Sequence, residues 1–376
     1  MTTNAYELTF SQIIAETPAL YALGRPLHML GAPGIGKTHT AREMARVLAA
    51  HYGEDFGFVE MHPATMDSPD WGGIIVPSKT ADGRAASLQT IPPPIALIEA
   101  TGKERGVLFI DEFGQCDQAT QKAIAPALDR TTRRIGAYTL PPGWYIVLAS
   151  NRTKDKSGAN RILAHVVNRC ITVEVGSTPA DWIGWATTNN VHPHAVTFAE
   201  RNPGTVFRDA VPSEEGAYCT PRSLADAAEY LAAAADPVTG HLPSDITRQM
   251  VVAGMIGRGA SAELFAFLAL IDQLPSPREM RENPEGARVP DAHRIDAHFA
   301  AMRTAVYYAN DAASADALFR YVQRLAPELV PSAAMAFMKK AEDKTRAGIL
   351  SSPAFARYIA ANRDMLAAVW QRAPGR

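Results

Sequence analysis

The sequence predicts an α/β protein: a core with a parallel five-stranded sheet and helical crossovers, followed by an all-helical region. Three observations carry this. Five short apolar runs alternate with stretches of helical patterning. The first run leads straight into a glycine-rich loop, GAPGIGKT, at Gly31 to Thr38. Beyond about residue 178 the strand-like runs fade and alanine-rich helical segments dominate. Strands that alternate with helices pair in parallel, because each crossover helix must pack back on the sheet.

Residues 1–50 read as helix, strand, loop, helix, with the strand at Leu27-His28-Met29-Leu30 and the second helix over Ala41 to Ala50. Phe56 to Met61 (FGFVEM) is the second strand. From Pro63 to Pro94 the chain turns irregular, with Trp71-Gly72-Gly73, Asp82-Gly83 and Pro92-Pro93-Pro94. That is too long for a plain connector and marks an inserted hairpin or loop. Gly106 to Ile110 (GVLFI) is the third strand and ends in Asp111-Glu112, and Thr120 to Arg130 is helical. Trp144 to Ala149 (WYIVLA), closed by Ser150-Asn151, and Cys170 to Val175 (CITVEV) complete the sheet. Near-continuous apolar runs are what strands covered on both faces require. The helical segments that follow are 221–235, 246–257, 261–272, 296–310, 314–325, 332–348 and 353–371. The organisation expected is a core over 1–178, with an insert at about 63–94, and a helical region over 179–376.

Composition narrows the function classes. Of 376 residues, 47% are hydrophobic and 20% charged, with a net charge of −2, which is ordinary for a folded globular chain. No strong basic field points to nucleic acid or an acidic membrane. The three cysteines, Cys116, Cys170 and Cys219, are odd in number and widely spaced, a pattern of neither disulfides nor a zinc site. A reducing cytoplasm is the expected setting. The start, MTTNAYELTF, lacks the pattern of a signal peptide. No apolar run approaches the roughly 18 residues that would span a bilayer.

Three segments carry chemistry. In the loop, Gly31, Gly34 and Gly36, with Ala32, Pro33 and Ile35 between them, let backbone N–H groups converge on phosphate oxygens. Lys37 reaches the β- and γ-phosphates, the Thr38 hydroxyl ligates Mg²⁺, His39 is counted with them as nucleotide-binding, and the helix that follows offers its N-terminus to the anion. A chance glycine-rich turn is the alternative, and the strand before and helix after argue against it. VLFIDE puts Asp111 beside Mg²⁺ and Glu112 where a base polarises the attacking water. A solvated acidic pair capping the next helix is the alternative there. LASNR places Asn151 at a strand tip, where it orients water near the γ-phosphate or simply forms a turn. The TKD at Thr153 to Asp155 has the wrong spacing for a guanine-binding motif.

GAPGIGKT, then VLFIDE, then an Asn-tipped strand resembles the AAA+ ATPases. The stretch FIDEFGQCDQATQKAIAPALDRTTRRIGAYTLPPGWYIVLASNR resembles the MoxR branch, in a form found in bacterial and phage genomes. MDSPDWGG resembles that branch's insert after the second strand, and NRILAHVVNRC its helix ending in an arginine finger. CTPRSL resembles the start of its helical lid, and LPSPREMRENPEGARVP also resembles lid sequence. The resemblance covers most of the chain, most specifically at 31–38, 107–112 and 144–151. It implies a homo-oligomeric, hexameric ring that binds ATP with Mg²⁺ at subunit interfaces. It implies Arg169 as a finger acting in trans on a neighbour's ATP, with Arg161 the competing candidate, and Arg222 as a sensor of ATP in its own subunit. It also implies a chaperone-like role with a von Willebrand factor A-domain protein as partner. Cys170 stands where an aromatic residue is more usual in the branch, and the helical part exceeds a minimal lid. Surface cation and helix-start residue are the alternatives for Arg169 and Arg222.

Weaker signals remain. His192 and His194 flank Pro193 and read as a loop. Trp182 and Trp185, three apart on a helix, read as packing. Trp71 beside two glycines reads as a packed insert or as a loop gripping a substrate in a central pore. Arg130, Arg133 and Arg134 form a basic cluster for a solvated or intersubunit face, or for nucleic acid. The expected function is an ATP-driven motor remodelling a protein. The alternatives are a nucleic-acid motor or loader with the same engine, and a nucleotide switch.

Overall fold

The computed structural model describes residues 7–152, 155, 162–208, 210–212, 215–236, 241–271, 274–341, 344–363 and 366. The chain divides into two units, Met1–Ser177 with Asp209–Val211, and Thr178–Arg208 with Pro212–Arg376.

In the first unit the elements run β1 (Glu7–Thr9), α1 (Phe10–Leu23), β2 (Leu27–Leu30), α2 (Lys37–Tyr52), β3 (Gly57–Met61), α3 (Ser68–Gly72), β4 (Ile75–Lys79), β5 (Ala85–Gln89), α4 (Pro93–Ala100), β6 (Arg105–Ile110), α5 (Gln118–Ile124), β7 (Arg134–Ile135), β8 (Tyr138–Thr139), β9 (Gly143–Ser150), α6 (Ala164–Val167) and β10 (Ile171–Gly176). The main sheet has the order β1-β10-β2-β9-β6-β3, and every pairing in it is parallel. Among the described residues the sheet therefore has six strands, not the five expected. The sixth, β1, is a three-residue edge strand, Glu-Leu-Thr, paired through Leu8 with Val175. An edge strand this short needs no apolar run.

Alternation along the central strands builds two cores. Leu108, Ile110, Ile146 and Leu148 face one side, with Trp71, Ile98 and Ile124. Val107, Phe109, Tyr145, Val147 and Ala149 face the other, with Ile13, Met44 and Leu48 of α1 and α2. Successive side chains of a strand point to opposite faces, so both faces of β6 and β9 are dry and both sets must be apolar.

Register aligns the strand ends. Leu30 pairs with Ser150, Ile110 with Leu148, and Met61 with Ile110. The residues just past β2, β9, β6 and β3 thus emerge at one carboxyl edge, where α/β sheets bind ligands. The segment after β3 folds into α3 and an antiparallel β4–β5 hairpin. The helix expected over Thr120 to Arg130 is shorter: α5 stops at Ile124. Pro126 has no N–H to donate to the Lys122 carbonyl, and the ladder cannot continue.

The second unit contains α7 (Pro179–Thr188), α8 (Pro193–Arg201), α9 (Pro203–Val206), α10 (Pro221–Ala233), α11 (Ile246–Ile256), α12 (Arg258–Ile271), α13 (Pro277–Glu282), α14 (Ile295–Tyr308), α15 (Ala312–Val322), α16 (Val330–Ala341) and α17 (Pro353–Ala361). One core gathers Trp182, Phe198, Leu224 and Leu264, and a second gathers Phe319, Tyr321, Phe337 and Phe355. In the second, the Phe319 ring lies 5.4 Å from Phe337 and 5.0 Å from Phe355. His192 and His194 are not in a loop. Pro193 opens α8, the His192 ring caps it by accepting from the His194 N–H at 3.3 Å, and both rings are buried. Among the described residues no helix is long and apolar enough to cross a membrane.

Candidate nucleotide-binding site

The loop after β2 turns on two glycines. Gly31 donates its N–H to the Ser150 carbonyl at 3.1 Å, tying the loop to the end of β9. A Cβ at Gly31 would lie 2.6 Å from Ile35 Cδ1 and 2.7 Å from the Val175 carbonyl, so no larger residue fits. Gly36 has φ +110° and is the N-cap of α2, a conformation L side chains rarely adopt. With Gly36 carrying the turn, α2 begins at Lys37 and directs its N-terminus at the loop.

Lys37 is 8% exposed. Its ammonium donates to the carbonyls of Gly31 at 2.8 Å and Ala32 at 2.9 Å, and to Asn151 Oδ1 at 3.0 Å. The Thr38 hydroxyl donates to Asp111 Oδ2 at 2.8 Å. Asp111 sits one residue past β6, and its N–H donates to the Met61 carbonyl at 2.9 Å. Phosphate loop, acidic strand end and Asn-tipped strand thus meet at one edge of the sheet. Residues 26–170 match the family of the AAA domain, dynein-related subfamily.

The fold is that of the P-loop AAA+ proteins, a parallel sheet with helical crossovers followed by a helical region. Among solved structures, similar ones are forms of RuvB from Thermotoga maritima. Two point mutants are 17% and 18% identical, covering 72% and 73% of this chain and 73% and 74% of theirs, with TM-scores of 0.37 and 0.36. One described as the Holliday junction branch migration motor is 16% identical, covering 73% of this chain and 74% of its own, with a TM-score of 0.34. No curated protein matches the chain.

Within the matched segment, Glu112 follows Asp111 with an exposed side chain and φ 53°, ψ 28°. Its N–H donates to Asp111 Oδ1 at 2.8 Å, which orients the aspartate carboxylate. A non-glycine residue held in the left-handed region is strained by about 1 kcal/mol, and such strain collects at functional positions. The oxygen donors Thr38 Oγ1 and Asp111 Oδ2, 2.8 Å apart, match two adjacent corners of an octahedron with Mg–O bonds of about 2.0–2.1 Å. The donor set therefore fits Mg²⁺.

Behind these residues lies a second layer that sequence reading passed over. The Ser150 hydroxyl lies 2.8 Å from His28 Nε2 and accepts the Gly114 N–H at 3.0 Å, joining β2, β9 and the turn after Glu112. Burial pushes the His28 imidazole down to about 4, so the ring is neutral. Arg152 is buried beside Asp155: Nε donates to Oδ2 at 3.1 Å and Nη2 to Oδ1 at 3.0 Å. Asp155 Oδ2 also accepts the Arg152 N–H at 3.1 Å, which closes the turn after Asn151. The signals were present: a histidine inside an apolar strand, and an Arg-Asp pair three apart at a strand tip.

The remaining candidates are placed as follows. Pro33, Gly34 and Ile35 are partly exposed on the loop, and His39 is exposed on the first turn of α2. Arg169 follows α6, donates to the Ala125 carbonyl at 3.3 Å and lies 3.7 Å from Asp129, with its side chain 36% exposed. Arg161 lies outside the described residues, as do Thr153 and Lys154. Arg222 is exposed on the first turn of α10, in the second unit. Trp71 is fully buried under the sheet, which removes it as a gripping side chain. Of the basic cluster, Arg133 is committed to the Pro141 and Trp144 carbonyls, while Arg130 and Arg134 are exposed.

Proposed function

We propose that this protein is an ATP-hydrolysing AAA+ motor of the MoxR type, which assembles as a hexameric ring and remodels a protein partner in the cytoplasm. The observation that carries this is the convergence of Lys37, Thr38, Asp111 and Asn151 at one edge of the sheet, beside Glu112.

ATP is held by the loop Gly31, Ala32, Pro33, Gly34, Ile35 and Gly36, in which the Gly31 N–H anchors the loop to Ser150 and the N–H groups further along face the phosphates, and by the first turn of α2 through Lys37, Thr38 and His39. Thr38 and Asp111 would hold Mg²⁺, which when bound would neutralise charge on the phosphates. Lys37, whose three N–H donors hold the Gly31 and Ala32 carbonyls and Asn151, exchanges some of these bonds for phosphate oxygens when ATP binds. Glu112, which makes no side-chain cap to the turn that follows, takes the proton of the attacking water. Asn151 orients that water and holds Lys37 in line.

Arg169 of a neighbouring subunit neutralises charge developing on the γ-phosphate, a contribution of about 10³-fold or more in rate. Among the described residues it makes a 3.3 Å bond to the Ala125 carbonyl and a half-buried ion pair with Asp129 at 3.7 Å, contacts weak enough to exchange. Arg222 senses ATP in its own subunit. A cation on the first turn of a helix opposes the helix dipole, so Arg222 is not there to stabilise α10. The partner is a protein, with a von Willebrand factor A-domain protein as the candidate adaptor.

The test is ATPase rate against protein concentration for wild type and Arg169→Ala, with mass photometry in ATP. A rate per subunit that rises with concentration, six-subunit particles and a slow variant support the ring motor. A concentration-independent rate from monomers that ignores Arg169 overturns it. Stimulation by DNA that falls steeply with salt would replace the protein partner with nucleic acid.

A further inference from the structure

We infer that Glu60, His62 and Asp111 form a transition-metal site at the carboxyl edge of the sheet. It is distinct in chemistry from the Thr38–Asp111 pair, with which it shares one carboxylate.

Glu60 lies in β3 and His62 one residue past its end. Residues two apart on a strand project to the same face. Asp111 extends β6 alongside, and its N–H bond to the carbonyl of Met61, the last residue of β3, carries the ladder one residue beyond β6. Three side chains of metal-binding chemistry are therefore set by backbone pairing rather than by a loop. One ligand atom from each lies within 4.8 Å of the others. His62 Nε2 and Glu60 Oε1 are 3.5 Å apart. Two ligands on a tetrahedral ion at about 2.0–2.1 Å would be separated by about 3.4 Å, so this pair needs almost no movement.

The other oxygen of Glu60 is held by Arg42, whose guanidinium lies 4.6 Å over the Phe58 ring. Anchoring one carboxylate oxygen turns the other toward His62, the part that outer residues play around metal ligands. The His62 side chain is 49% exposed, which leaves an entry path and room for water as a further ligand. One imidazole with two carboxylates suits Zn²⁺, Co²⁺, Ni²⁺ or Mn²⁺, whereas a hydroxyl with a carboxylate suits Mg²⁺.

A plain His–Glu ion pair is the competing account, and it binds no metal. The test is titration of Co²⁺ into the nucleotide-free full-length protein, read by visible absorption and by calorimetry. One saturable equivalent is expected, weakened about tenfold or more in His62→Gln and in Asp111→Asn. Absence of saturable binding, or equal affinity in His62→Gln, overturns the site. His62 is a surface side chain, and an unchanged melting temperature shows that the variant is folded. Lys37→Ala is expected to keep the Co²⁺ site while losing ATP. Loss of Co²⁺ binding with ATP binding intact therefore rejects this site alone, and the reverse rejects the nucleotide reading alone.

Discussion

The Lys37 ammonium stands 3.0 Å from Asn151 Oδ1 across 114 residues of sequence. The link exists because β2 and β9 are parallel neighbours with Leu30 opposite Ser150, which brings the phosphate loop and the Asn-tipped strand side by side. One cation thereby joins the element proposed to hold phosphate to the element proposed to orient water.

Lys37→Ala is expected to lose ATP binding. Hydrogen bonds to a charged group are worth about 1.5–3 kcal/mol each, so affinity should fall by at least about tenfold. Fluorescent-nucleotide titration measures it. Retained affinity would reject the phosphate-loop reading.

Glu112→Gln is expected to bind ATP and turn over about 10²–10⁴-fold more slowly. A second variant separates chemistry from backbone strain. Glu112→Gly removes the carboxylate and relieves φ 53°. It should be equally slow, with a melting temperature no lower than wild type, because glycine adopts this conformation freely. Near-normal turnover in either variant would move the base elsewhere.

Arg169→Ala should bind ATP yet hydrolyse it poorly, and mixing decides whether the residue works across an interface. Lys37→Ala subunits lack ATP but keep Arg169, while Arg169→Ala subunits do the reverse. A mixture more active than either variant alone establishes action in trans. If turnover survives in Arg169→Ala and is lost in Arg161→Ala, the finger is Arg161.

The Arg152–Asp155 pair has side chains 7% and 1% exposed. Breaking a buried pair by neutralising one partner costs about 3–5 kcal/mol, because the other charge is stranded. Asp155→Asn should therefore lower the melting temperature by several degrees and reduce kcat more than KM, since it loosens the turn that carries Asn151. Replacing both residues with apolar ones of similar volume should restore much of the stability. An unchanged melting temperature in Asp155→Asn would show that the pair does not support this turn.

Much of the core was legible in sequence because burial leaves a strong signature. Residues such as Phe109 and Val147 point to one covered face while Leu108 and Leu148 point to the other, so β6 and β9 could only be apolar runs. β1 left no such trace, since an edge strand of Glu-Leu-Thr meets the sheet through its backbone. α8 was missed because Pro193 reads as a loop former until it is seen as the first helical residue, a place where its missing N–H is no loss. Of the candidate site, Lys37, Thr38, Asp111 and Asn151 were singled out by motif and spacing, and the structure brings them together. Their supports were not singled out. His28, Ser150, Arg152 and Asp155 act through contacts between strands or around one turn, and a residue type at a position does not disclose its partner.

The last expectation concerns acid. His28 is buried, and burial lowers its imidazole from the ordinary 6.5 to about 4. Its folded value lies below its unfolded value, so the unfolded chain takes up the proton first. Stability from the neutral ring is fully present above about pH 6.5 and is lost as pH falls toward 4, a contribution of about 3 kcal/mol at one unit per 1.36 kcal/mol. His192 and His194, lowered mainly by burial in the second unit, act in the same direction. Thermal melts between about pH 7.5 and 4.5 should show falling stability, and His28→Asn should flatten the slope over that window without abolishing it. The comparison is made between slopes, so stability lost with the Ser150 contact does not disturb it. Equal slopes in wild type and His28→Asn would mean that the ring is charged or solvated in the fold. The neutral link it makes between β2 and β9 would then be lost.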